Sequence, residues 1–382
     1  MNCNNLKIKI IGAGPTGSLL ALSLIRLGCH VNLYDCLDYN QLIGRSRAYA
    51  ITHSSRKLLE ELRLWESIKP YMNSFQKLIV KDTVINKDIL FVKSDLLKSN
   101  KKYDSIGWIL DHKNLMNVLL NELNNSSLVK LNLGNCTNDL RQEYDLVFAA
   151  DGKSSPSRIS SGINEWKFNY KQACLTFKVL MRGSKSNIAF EILRKEGPMA
   201  ILPMGNDVYQ IVISDSYEKC NLFAKYEKSK LLDKLATIVP NNIQPDAILG
   251  ETGVFRNSFF IASKFSEKRF FLIGESAHSF HPVGGQGLNL CLRDIQTITF
   301  LLNLFSKNRY KFSFLSYVYN LIRIVDIISI GFITDSLIRL FSNSSIFTII
   351  PRFIINLFIK YIPFIRKIVL SIMTNGIYNI FK

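Results

Sequence analysis

Three glycines with dinucleotide-binding spacing stand near the start of the chain, in the segment Gly12-Ala13-Gly14-Pro15-Thr16-Gly17. The first glycine permits a tight turn, the second lets backbone amides approach a pyrophosphate, and the third lets a helix pack closely on a strand. Asp35 follows 21 residues after Gly14, where a carboxylate can accept hydrogen bonds from ribose hydroxyls. The pattern predicts a dinucleotide site that includes Pro15 and Thr16, and it does not distinguish FAD from NAD.

This loop requires a strand before it and a helix after it, and the flanking sequence supplies both. Residues 8–11 contain three isoleucines, which is typical of a short buried strand. Apolar residues over 19–25 predict a helix that Gly28 ends, and residues 31–34 predict a second strand that leads to Asp35. The helix N-terminus then offers free N–H groups and partial positive charge to the phosphates.

Two later segments also combine an apolar run with turn-forming glycines. Residues 145–150 predict a buried strand that ends in Asp151-Gly152. Residues 270–274 predict another, followed by Pro282-Val283-Gly284-Gly285-Gln286-Gly287 and a helix that begins at Leu288. These glycines permit close backbone approach to a ligand, and the helix N-terminus can face an electron-rich ligand oxygen.

In order and content these motifs resemble the aromatic-ring flavoprotein monooxygenases of the para-hydroxybenzoate hydroxylase type, and in particular the ubiquinone-biosynthesis hydroxylases. The segment from Gly274 to Asn289 carries the most specific similarity. The resemblance runs along nearly the whole chain and favours FAD. Further similar segments lie at residues 47–51, 62–65, 197–204, 334–335 and 341–342.

The resemblance implies roles for individual residues. Arg47 and Glu275 would hold the ribityl and phosphate region of FAD, and Pro282 and Gly285 would lie near the flavin face. The turn at Asp151-Gly152 would contact both FAD and NAD(P)H. The other implied cofactor contacts are Gln286, Gly287, Leu288 and Asn289. The chain has Gly274-Glu275 where the family has Gly-Asp, and Cys291 where the family has glycine.

The resemblance also implies a reaction. NADH or NADPH would reduce bound FAD, and the reduced flavin and dioxygen would hydroxylate an aromatic ring, expected to be a prenylated phenol or quinone precursor. Because the flavin carries the chemistry, no protein residue is assigned as catalytic. Two alternatives stay open: an FAD-dependent reductase or dehydrogenase of an isoprenoid lipid, and a non-catalytic membrane-associated flavoprotein that supports a quinone-biosynthesis complex. Glu275 and Cys291 motivate the latter.

The composition limits which binding partners and which cellular compartment are expected for the protein. The net charge of +18 favours polyanionic partners, but no arginine-rich tract is present, so nucleic acid binding is not predicted. Seven cysteines without a Cys-x-x-Cys pair indicate free thiols in a reducing compartment. His278 and His281 have a spacing that suits a metal, but no third ligand is evident, so no metal site is predicted.

The pattern of apolar and polar residues along the chain predicts an α/β fold with three parts. A Rossmann-like FAD-binding domain would use residues 1–75, 105–165 and 262–310. A substrate domain with an inserted antiparallel sheet would use mostly residues 166–261, because apolar and polar residues alternate between turns over about 168–260. The excursion at residues 76–104 is expected to join this domain. Helices are also predicted over 54–66 and 114–123, with Asp111 as a possible N-cap for the second.

Residues 311–382 predict a helical C-terminal region that contacts a membrane surface. Arg352, Asn356, Lys360 and Lys367 fall near one helical face, and apolar residues cover the rest, which suits a helix lying in a membrane interface. The alternative is a tail packed on the protein with its basic edge solvated. Prolines at 351 and 363 are expected to divide this region into short helices. The expected location is cytoplasmic, peripheral on the inner face of the membrane.

Overall fold

The computed structural model describes residues 6–96, 103–135, 144–183, 186–240, 242–308 and 312–376. The strands in chain order are β1 Lys7–Ile11, β2 His30–Asp35, β3 Ala48–Ile51, β4 Met72–Phe75, β5 Lys77–Asp82, β6 Lys87–Val92, β7 Gly107–Asp111, β8 Val129–Leu133, β9 Leu146–Ala149, β10 Glu165–Arg182, β11 Ile188–Leu193, β12 Met199–Gly205, β13 Val208–Ser216, β14 Gln244–Ala262, β15 Ser266–Glu267, β16 Phe270–Leu272 and β17 His278–Ser279. The helices are α1 Pro15–Ile25, α2 Tyr39–Ile43, α3 His53–Glu61, α4 Trp65–Ile68, α5 His112–Asn124, α6 Pro156–Ser160, α7 Tyr217–Ala224, α8 Lys228–Ala236, α9 Gln286–Asn308, α10 Phe312–Phe341, α11 Ile346–Tyr361 and α12 Pro363–Asn375.

The dinucleotide motif lies in a six-stranded sheet with the order β15-β16-β9-β1-β2-β8. The pairs from β16 to β8 are parallel, and only β15 runs antiparallel to its neighbour. Strand β1 is central, and all of its residues except Lys7 are buried. Its isoleucines belong to the largest core cluster together with apolar residues of α1 and α9, and these two helices pack against each other. The predicted Rossmann-like architecture is confirmed.

The middle of the chain forms an eight-stranded sheet with the order β17-β14-β10-β13-β12-β11-β5-β6. Its neighbouring strands are antiparallel, as predicted, except that β11 pairs with β5 in parallel. One face of this sheet packs its apolar side chains against α7 and α8. The opposite face is turned toward the glycine-rich segments and lines a cavity.

One predicted helix boundary is confirmed, and one predicted helix is divided. Asp111 caps α5, since its Oδ1 atom accepts a 2.9 Å hydrogen bond from the amide of Lys113. The helix predicted over 54–66 is instead two helices, because Arg63 between them has a φ of 54° and cannot continue a right-handed helix.

The C-terminal region is helical, as predicted, but its divisions differ. Pro363 begins α12, whereas Pro351 lies inside α11 and does not end it. The helix tolerates this proline because Pro351 is exposed and the residue whose carbonyl loses its partner, Phe347, is 85% exposed. Within the described residues, no helix combines the length and the apolar character needed to cross a bilayer.

The polar stripe of α11 faces the protein, which corrects the idea of a solvated basic edge. Arg352 is 0% exposed and Asn356 is 8% exposed. Arg352 donates hydrogen bonds to the carbonyl oxygens of Asn343 and Phe341 and pairs with Asp82. A buried guanidinium needs such partners, and the α10–α11 turn and the β5–β6 hairpin supply them. Lys360 does remain exposed.

The cysteines follow the sequence prediction only in part. Cys29, Cys174, Cys220 and Cys291 are buried free thiols. Cys36 is disulfide-bonded, so the expectation of free thiols is wrong at this position. Cys36 is exposed and directly follows the end of β2. The spacing of cysteines along the sequence does not reveal which of them pair. Cys3 and Cys136 lie outside the described residues.

Candidate active site

The first glycine-rich loop has the steric demands that its sequence predicts. Gly12 has a φ of +102°, and a Cβ atom there would lie 2.3 Å from the carbonyl oxygen of Ala150. At Gly17 a Cβ atom would lie 1.8 Å from the carbonyl oxygen of Gly12. At Gly14, by contrast, it would meet nothing within 4 Å. The outer two glycines therefore let the loop close, and Gly14 leaves open space in front of it.

Asp35 fixes the conformation of this loop. Its Oδ2 atom accepts a 2.7 Å hydrogen bond from the amide of Ala13, and its Oδ1 atom accepts one of 2.8 Å from the amide of Leu37. The side chain is half-buried, so the carboxylate keeps lone pairs for an additional donor. The predicted ribose contact stays a prediction, and the bond to Ala13 adds a structural role.

The Asp151-Gly152 turn adjoins the first loop, because β9 pairs with β1. The Oδ2 atom of Asp151 accepts a 3.0 Å hydrogen bond from the amide of Ser157. Its Oδ1 atom is buried without a hydrogen-bond partner among the described residues. Gly152 has a φ of +82°, and a Cβ atom there would meet nothing within 4 Å. An unpartnered acceptor beside open space is suited to a ligand hydroxyl or amide.

The late glycine-rich loop is held in a conformation that favours glycine. Gly284 and Gly285 have φ values of +70° and +63°, so both lie in the left-handed region. The amide of Gly285 donates a 2.9 Å hydrogen bond to the carbonyl of Pro282. Cβ atoms at Gly284 and Gly287 would meet nothing within 4 Å. The loop thus presents bare backbone to the cavity immediately before the N-terminus of α9.

Asn289 and Gln286 attach this loop to its surroundings. The Nδ2 atom of Asn289 donates to the carbonyls of Ala50 and Gly285, and its Oδ1 atom accepts from Thr52 and from the Ser55 hydroxyl at 2.6 Å. Gln286 donates to the carbonyl of Met373 in α12 at 3.1 Å. Asn289 is 1% exposed, so its side chain braces the loop from behind.

A network of buried charges, which the sequence motifs do not predict, lies beneath this loop. Asp294 accepts hydrogen bonds from the amide of Gly274 at 2.8 Å, from His278 Nε2 at 2.8 Å and from Arg323 Nε at 2.6 Å. Asp326 accepts from both Arg323 and Arg293. Burial alone would raise the pKa of Asp294, but Arg323 and His278 outweigh burial and lower it. Charged residues in otherwise apolar helices are the sequence feature that points to such a network.

Glu275 and Cys291, where the chain departs from the family pattern, lie on either side of the same turn. Glu275 is exposed on the cavity wall. Cys291 is 2% exposed, and a Cβ atom on Gly274 would lie 3.0 Å from its Sγ atom and 2.9 Å from the Cγ2 atom of Thr16. Cys291 therefore fits where the first and the late glycine-rich segments meet.

A cavity of about 410 Å³ lies between the late loop and the eight-stranded sheet. Seven of the predicted cofactor residues line it, whereas the first loop, Asp35, the Asp151-Gly152 turn and Asn289 do not. Lys153, to which no sequence motif points, also lines the cavity, and its Nζ atom donates a 3.2 Å hydrogen bond to the carbonyl of Arg256. The seven predicted residues are Arg47, Glu275, Pro282, Gly285, Gln286, Gly287 and Leu288.

The segment at residues 47–51 forms one wall of this cavity. Arg47 is exposed, and its guanidinium lies 5.6 Å from the ring centroid of Phe255. The Tyr49 hydroxyl and His112 Nδ1 are 2.8 Å apart, and the other nitrogen of that ring lies 2.7 Å from the carbonyl of Leu42. These bonds hold β3 and α2 against α5 and so fix the position of this cavity wall.

The histidines of the late segment are committed to protein partners. His278 pairs with Asp294, and His281 Nε2 lies 2.9 Å from Asn257 Nδ2. Burial lowers the pKa of His281 to about 3, so its ring is neutral. Among the described residues, no group of three His, Cys, Asp or Glu side chains is arranged to hold a metal ion.

A family model described as an FAD binding domain matches residues 5–114 and 137–315, which include all three glycine-rich segments. The chain belongs to this FAD-binding family.

Curated relatives of this flavoprotein include hydroxylases. The chain is 24% identical to 3-demethoxyubiquinol 3-hydroxylase of Escherichia coli, with 76% of this chain and 78% of the relative covered. It is 25% identical to the ubiquinone hydroxylase UbiL of Rhodospirillum rubrum, with 88% and 82% covered. An uncharacterized protein of Synechocystis is 26% identical, with 76% and 73% covered. The predicted resemblance to ubiquinone-biosynthesis hydroxylases is confirmed.

Solved structures share the fold of the flavoprotein. The p-nitrophenol 4-monooxygenase PnpA of Pseudomonas putida superposes with a TM-score of 0.80 at 15% identity, and 97% of this chain and 98% of that chain are covered. PqsL of Pseudomonas aeruginosa, in complex with 2-aminobenzoylacetate, gives a TM-score of 0.75 at 16% identity, with 89% and 97% covered. The family model confirms the prediction of FAD as cofactor, and the hydroxylase relatives bear out the prediction of a flavoprotein monooxygenase.

The geometry of the flavoprotein fits FAD. Backbone at Gly14, Gly152, Gly284 and Gly287 borders open space in which a side chain would meet nothing, and the buried Oδ1 atom of Asp151 lacks a partner. The segments adjoin one another, since a Cβ atom on Gly12 would contact Ala150 and a Cβ atom on Gly274 would contact Thr16 and Cys291.

Proposed function

We propose that this flavoprotein uses NAD(P)H and dioxygen to hydroxylate the aromatic ring of a lipid-tailed phenol or quinone precursor. The observation that carries this proposal is the cavity between the late glycine-rich loop and the eight-stranded sheet. Its walls are predominantly apolar, with Leu78, Val80, Ala200 and Leu202 on the sheet side. Such a wall suits an aromatic ring beside the cofactor. The names of the two hydroxylase relatives support the class of substrate.

The residues that would hold FAD come from three segments. In the first, the backbone at Gly12, Gly14, Pro15, Thr16 and Gly17 would face the pyrophosphate and Asp35 the ribose. The Asp151-Gly152 turn would supply an acceptor, and Arg47 and Glu275 would hold the ribityl and phosphate region. The late loop would border the flavin through Pro282, Gly285, Gln286, Gly287, Leu288 and the braced Asn289.

When bound, FAD supplies the redox chemistry that activates dioxygen for hydroxylation. The chain itself orients the ring and keeps water from the reacting atoms. The apolar sheet face excludes water from one side of the cavity, and Gln286 closes another side by bonding α12 to the late loop. Polar groups at one end, from Thr176, Gln210 and Ser214, can orient a ring substituent.

The wall formed by α12 supports a substrate with a lipid tail. Leu370, Met373 and Thr374 of this helix line the cavity. The preceding helix, α11, has its polar stripe against the protein, so its apolar side chains point outward. Phe347 is 85% exposed, Ile350 is 60% exposed and, at the start of α12, Phe364 is 71% exposed. The cavity wall is thus continuous in sequence with a surface that prefers a non-aqueous environment.

We further propose that this outward face of α11 lies in the headgroup region of an anionic bilayer. The net charge of +18 favours an anionic surface, and the exposed aromatic and aliphatic side chains can enter the acyl boundary. A peripheral location on the inner face of the membrane would bring the enzyme to a lipid-tailed substrate. Membership of a quinone-biosynthesis complex stays a prediction.

The reaction is tested with the full-length, FAD-loaded protein, 2-prenylphenol, NADPH or NADH, and isotopically labelled dioxygen. We expect the phenol to accelerate NAD(P)H oxidation and one labelled oxygen atom to enter the ring. Reduced product without labelled oxygen would indicate the reductase alternative. Turnover that no phenol or quinone precursor accelerates, with no product, would rule out the proposed reaction.

The membrane contact is tested by flotation with vesicles of phosphatidylglycerol and phosphatidylethanolamine. We expect Phe347→Ser with Ile350→Ser to abolish flotation. Leu222→Ser, which removes a side chain that is 51% exposed on α7, is the matched control and should float like the wild type. A wild-type protein that stays in solution as a stable dimer would contradict the proposal and assign the apolar face to a second copy.

A further inference from the structure

A single glutamate lies among the apolar side chains of β11 and its neighbours on the cavity face of the sheet. Side chains alternate along β11, so Phe190 and Ile192 enter the core behind the sheet, whereas Ala189 and Glu191 face the cavity. In the ladder, Glu191 stands between Val80 of β5 and Ala200 of β12, and both of these also line the cavity. The half-buried carboxyl therefore has an apolar neighbour on each side.

The late glycine-rich loop lies opposite this carboxyl. The backbone amide of Gly284 faces Glu191 and lowers its pKa, but desolvation has the larger effect and raises the pKa to about 7. Within the described part of the chain, no charged side chain lies close enough to add to this shift. Glu191 is thus positioned between the apolar sheet and the backbone that we expect to border the flavin.

The other titratable groups around the cavity are occupied or lie elsewhere. His281 has both ring nitrogens engaged, with Asn257 and with the amide of Val283. The Tyr49 hydroxyl is bonded to His112. Glu275, the other carboxylate on the cavity wall, is exposed and interacts with Lys153. The other charged side chains that line the cavity are Arg47 and Arg256. The Cys174 thiol does not line the cavity and accepts a hydrogen bond from Asn257, which does.

We propose that Glu191 binds the phenolic hydroxyl of the substrate and accepts its proton, an inference that rests on the proposed hydroxylase function. In this step the phenolic O–H bond breaks, the proton moves to the Glu191 carboxylate, and the bonding electron pair stays on the oxygen. No atom is oxidised or reduced. The phenolate that results donates electron density to the ring, which favours attack by an electrophilic oxygen.

A carboxylate in this environment is suited to the task. General bases work best when their pKa lies near the working pH, and proton transfer by a positioned side chain contributes on the order of 10²–10⁴-fold in rate. Glutamates reach that range when desolvated in apolar surroundings, as Glu191 is. The requirement for an ionised base predicts that product formation rises with pH up to about 7 and then levels off.

The test compares Glu191→Gln with the wild type and with Glu251→Gln, an exposed position on β14 of the same sheet that serves as the matched control. The substrates are 2-prenylphenol and its methyl ether, which has no phenolic proton. Readouts are ring-hydroxylated product, substrate-independent reduction of the flavin by NAD(P)H, and ligand binding from the change in flavin absorbance.

We expect Glu191→Gln to form product on the order of 10²–10⁴ times more slowly from the phenol and to lose the rise with pH. Binding of the methyl ether and flavin reduction should stay within about twofold of the wild type, because neither needs the base. Glu191→Asp restores a proton acceptor and should regain part of the rate, and Glu251→Gln should behave like the wild type.

Two failures are distinguishable. If the wild type forms no hydroxylated product from any phenol, the proposed function itself is wrong, and the role of Glu191 is wrong with it. If the wild type hydroxylates the phenol but Glu191→Gln keeps both the rate and the pH profile, only the role of Glu191 is overturned. A Glu191→Asp variant no faster than Glu191→Gln would also contradict proton transfer at this position.

Discussion

The Nε atom of Arg352 lies 3.3 Å from the Oδ2 atom of Asp82, and this ion pair is buried, with the two side chains 0% and 3% exposed. It joins α11 to the β5–β6 hairpin at the edge of the eight-stranded sheet. Because both charges are removed from water, each depends on the other, and separating them leaves an uncompensated buried charge. The pair thereby determines which face of α11 turns outward.

Replacing Arg352 by methionine should therefore destabilise the C-terminal region by about 3–5 kcal/mol, because Asp82 is left buried and unpaired. Lys360→Met is the matched control, because it breaks an exposed ion pair in which the Nζ atom of Lys360 lies 3.7 Å from the Oδ1 atom of Asp88. This variant should change the free energy of unfolding by less than about 1 kcal/mol. Limited proteolysis of α11 and urea unfolding measure the two effects. Equal protease resistance in the two variants would show that the pair does not hold the helix.

The backbone conformation of the first loop is predictable from the sequence, because the spacing of the glycines shows where the chain has no room for a side chain. Gly12, Gly14 and Gly17 were assigned distinct roles, and the observed space around each agrees with those roles. The Asp111 cap is also predictable from the sequence, because a helix cap forms between residues that are close neighbours along the chain. The family resemblance adds that the distant glycine-rich segments belong to one FAD-binding domain, and the family model matches all of them.

What the sequence did not show depends on which side chains meet across distant elements. Periodicity placed Arg352 on the polar face of a helix, but it does not say whether that face meets water or Asp82. The alternation of β11 likewise puts Glu191 on one face of a strand without saying that a cavity lies there. Asn289 was expected at the flavin, yet its hydrogen bonds to Ala50 and Ser55 are visible only in three dimensions.

Gly14 and Gly17 are expected to differ sharply when each is replaced by alanine. At Gly17 the new Cβ atom would lie 1.8 Å from the carbonyl oxygen of Gly12, so the loop must shift and Gly17→Ala should unfold at lower temperature. At Gly14 the Cβ atom meets nothing within 4 Å, so Gly14→Ala should fold normally. It should nevertheless bind FAD more weakly, because the methyl group occupies the space expected to hold the pyrophosphate.

Thermal unfolding of the apoproteins and FAD titration by flavin fluorescence separate these two effects. Reduced apoprotein stability in Gly17→Ala but not in Gly14→Ala is the expected pattern. If Gly14→Ala bound FAD as tightly as the wild type, the first loop would not hold the pyrophosphate.

The buried network around Asp294 is expected to support both stability and cofactor retention. Asp294→Asn leaves Arg323 short of a countercharge and weakens the link to the Gly274 amide, so it should cost about 3–5 kcal/mol in the free energy of unfolding. FAD should also dissociate faster. Asp246→Asn, which breaks an exposed pair with Arg182, should cost less than about 1 kcal/mol and is the control. Comparable losses in both variants would argue against a special role for this network.

His53 should make the protein less stable in acid. Burial lowers the pKa of His53 from 6.5 to about 4, although a hydrogen bond to the Ser105 carbonyl partly opposes this. Well above pH 6.5 the ring is neutral in both the folded and the unfolded chain, so its titration contributes nothing. As pH falls from 6.5 toward 4, the unfolded chain binds a proton that the folded chain refuses, and the free energy of unfolding falls by about 3 kcal/mol.

Replacing His53 by glutamine keeps a donor for the Ser105 carbonyl and removes this titration. The variant should lose some stability at neutral pH, because the ring stacks on Tyr103 with 5.2 Å between centroids. Its free energy of unfolding should then depend less on pH between 6.5 and about 4 than that of the wild type. In both proteins the buried His112 and His281 add to the loss of stability in acid, whereas Glu191, with its pKa raised to about 7, opposes that loss. Urea unfolding across this range measures the difference, with exposed His30→Gln as the control. Parallel pH profiles for His53→Gln and the wild type would mean that His53 is protonated in the folded protein as readily as in the unfolded chain.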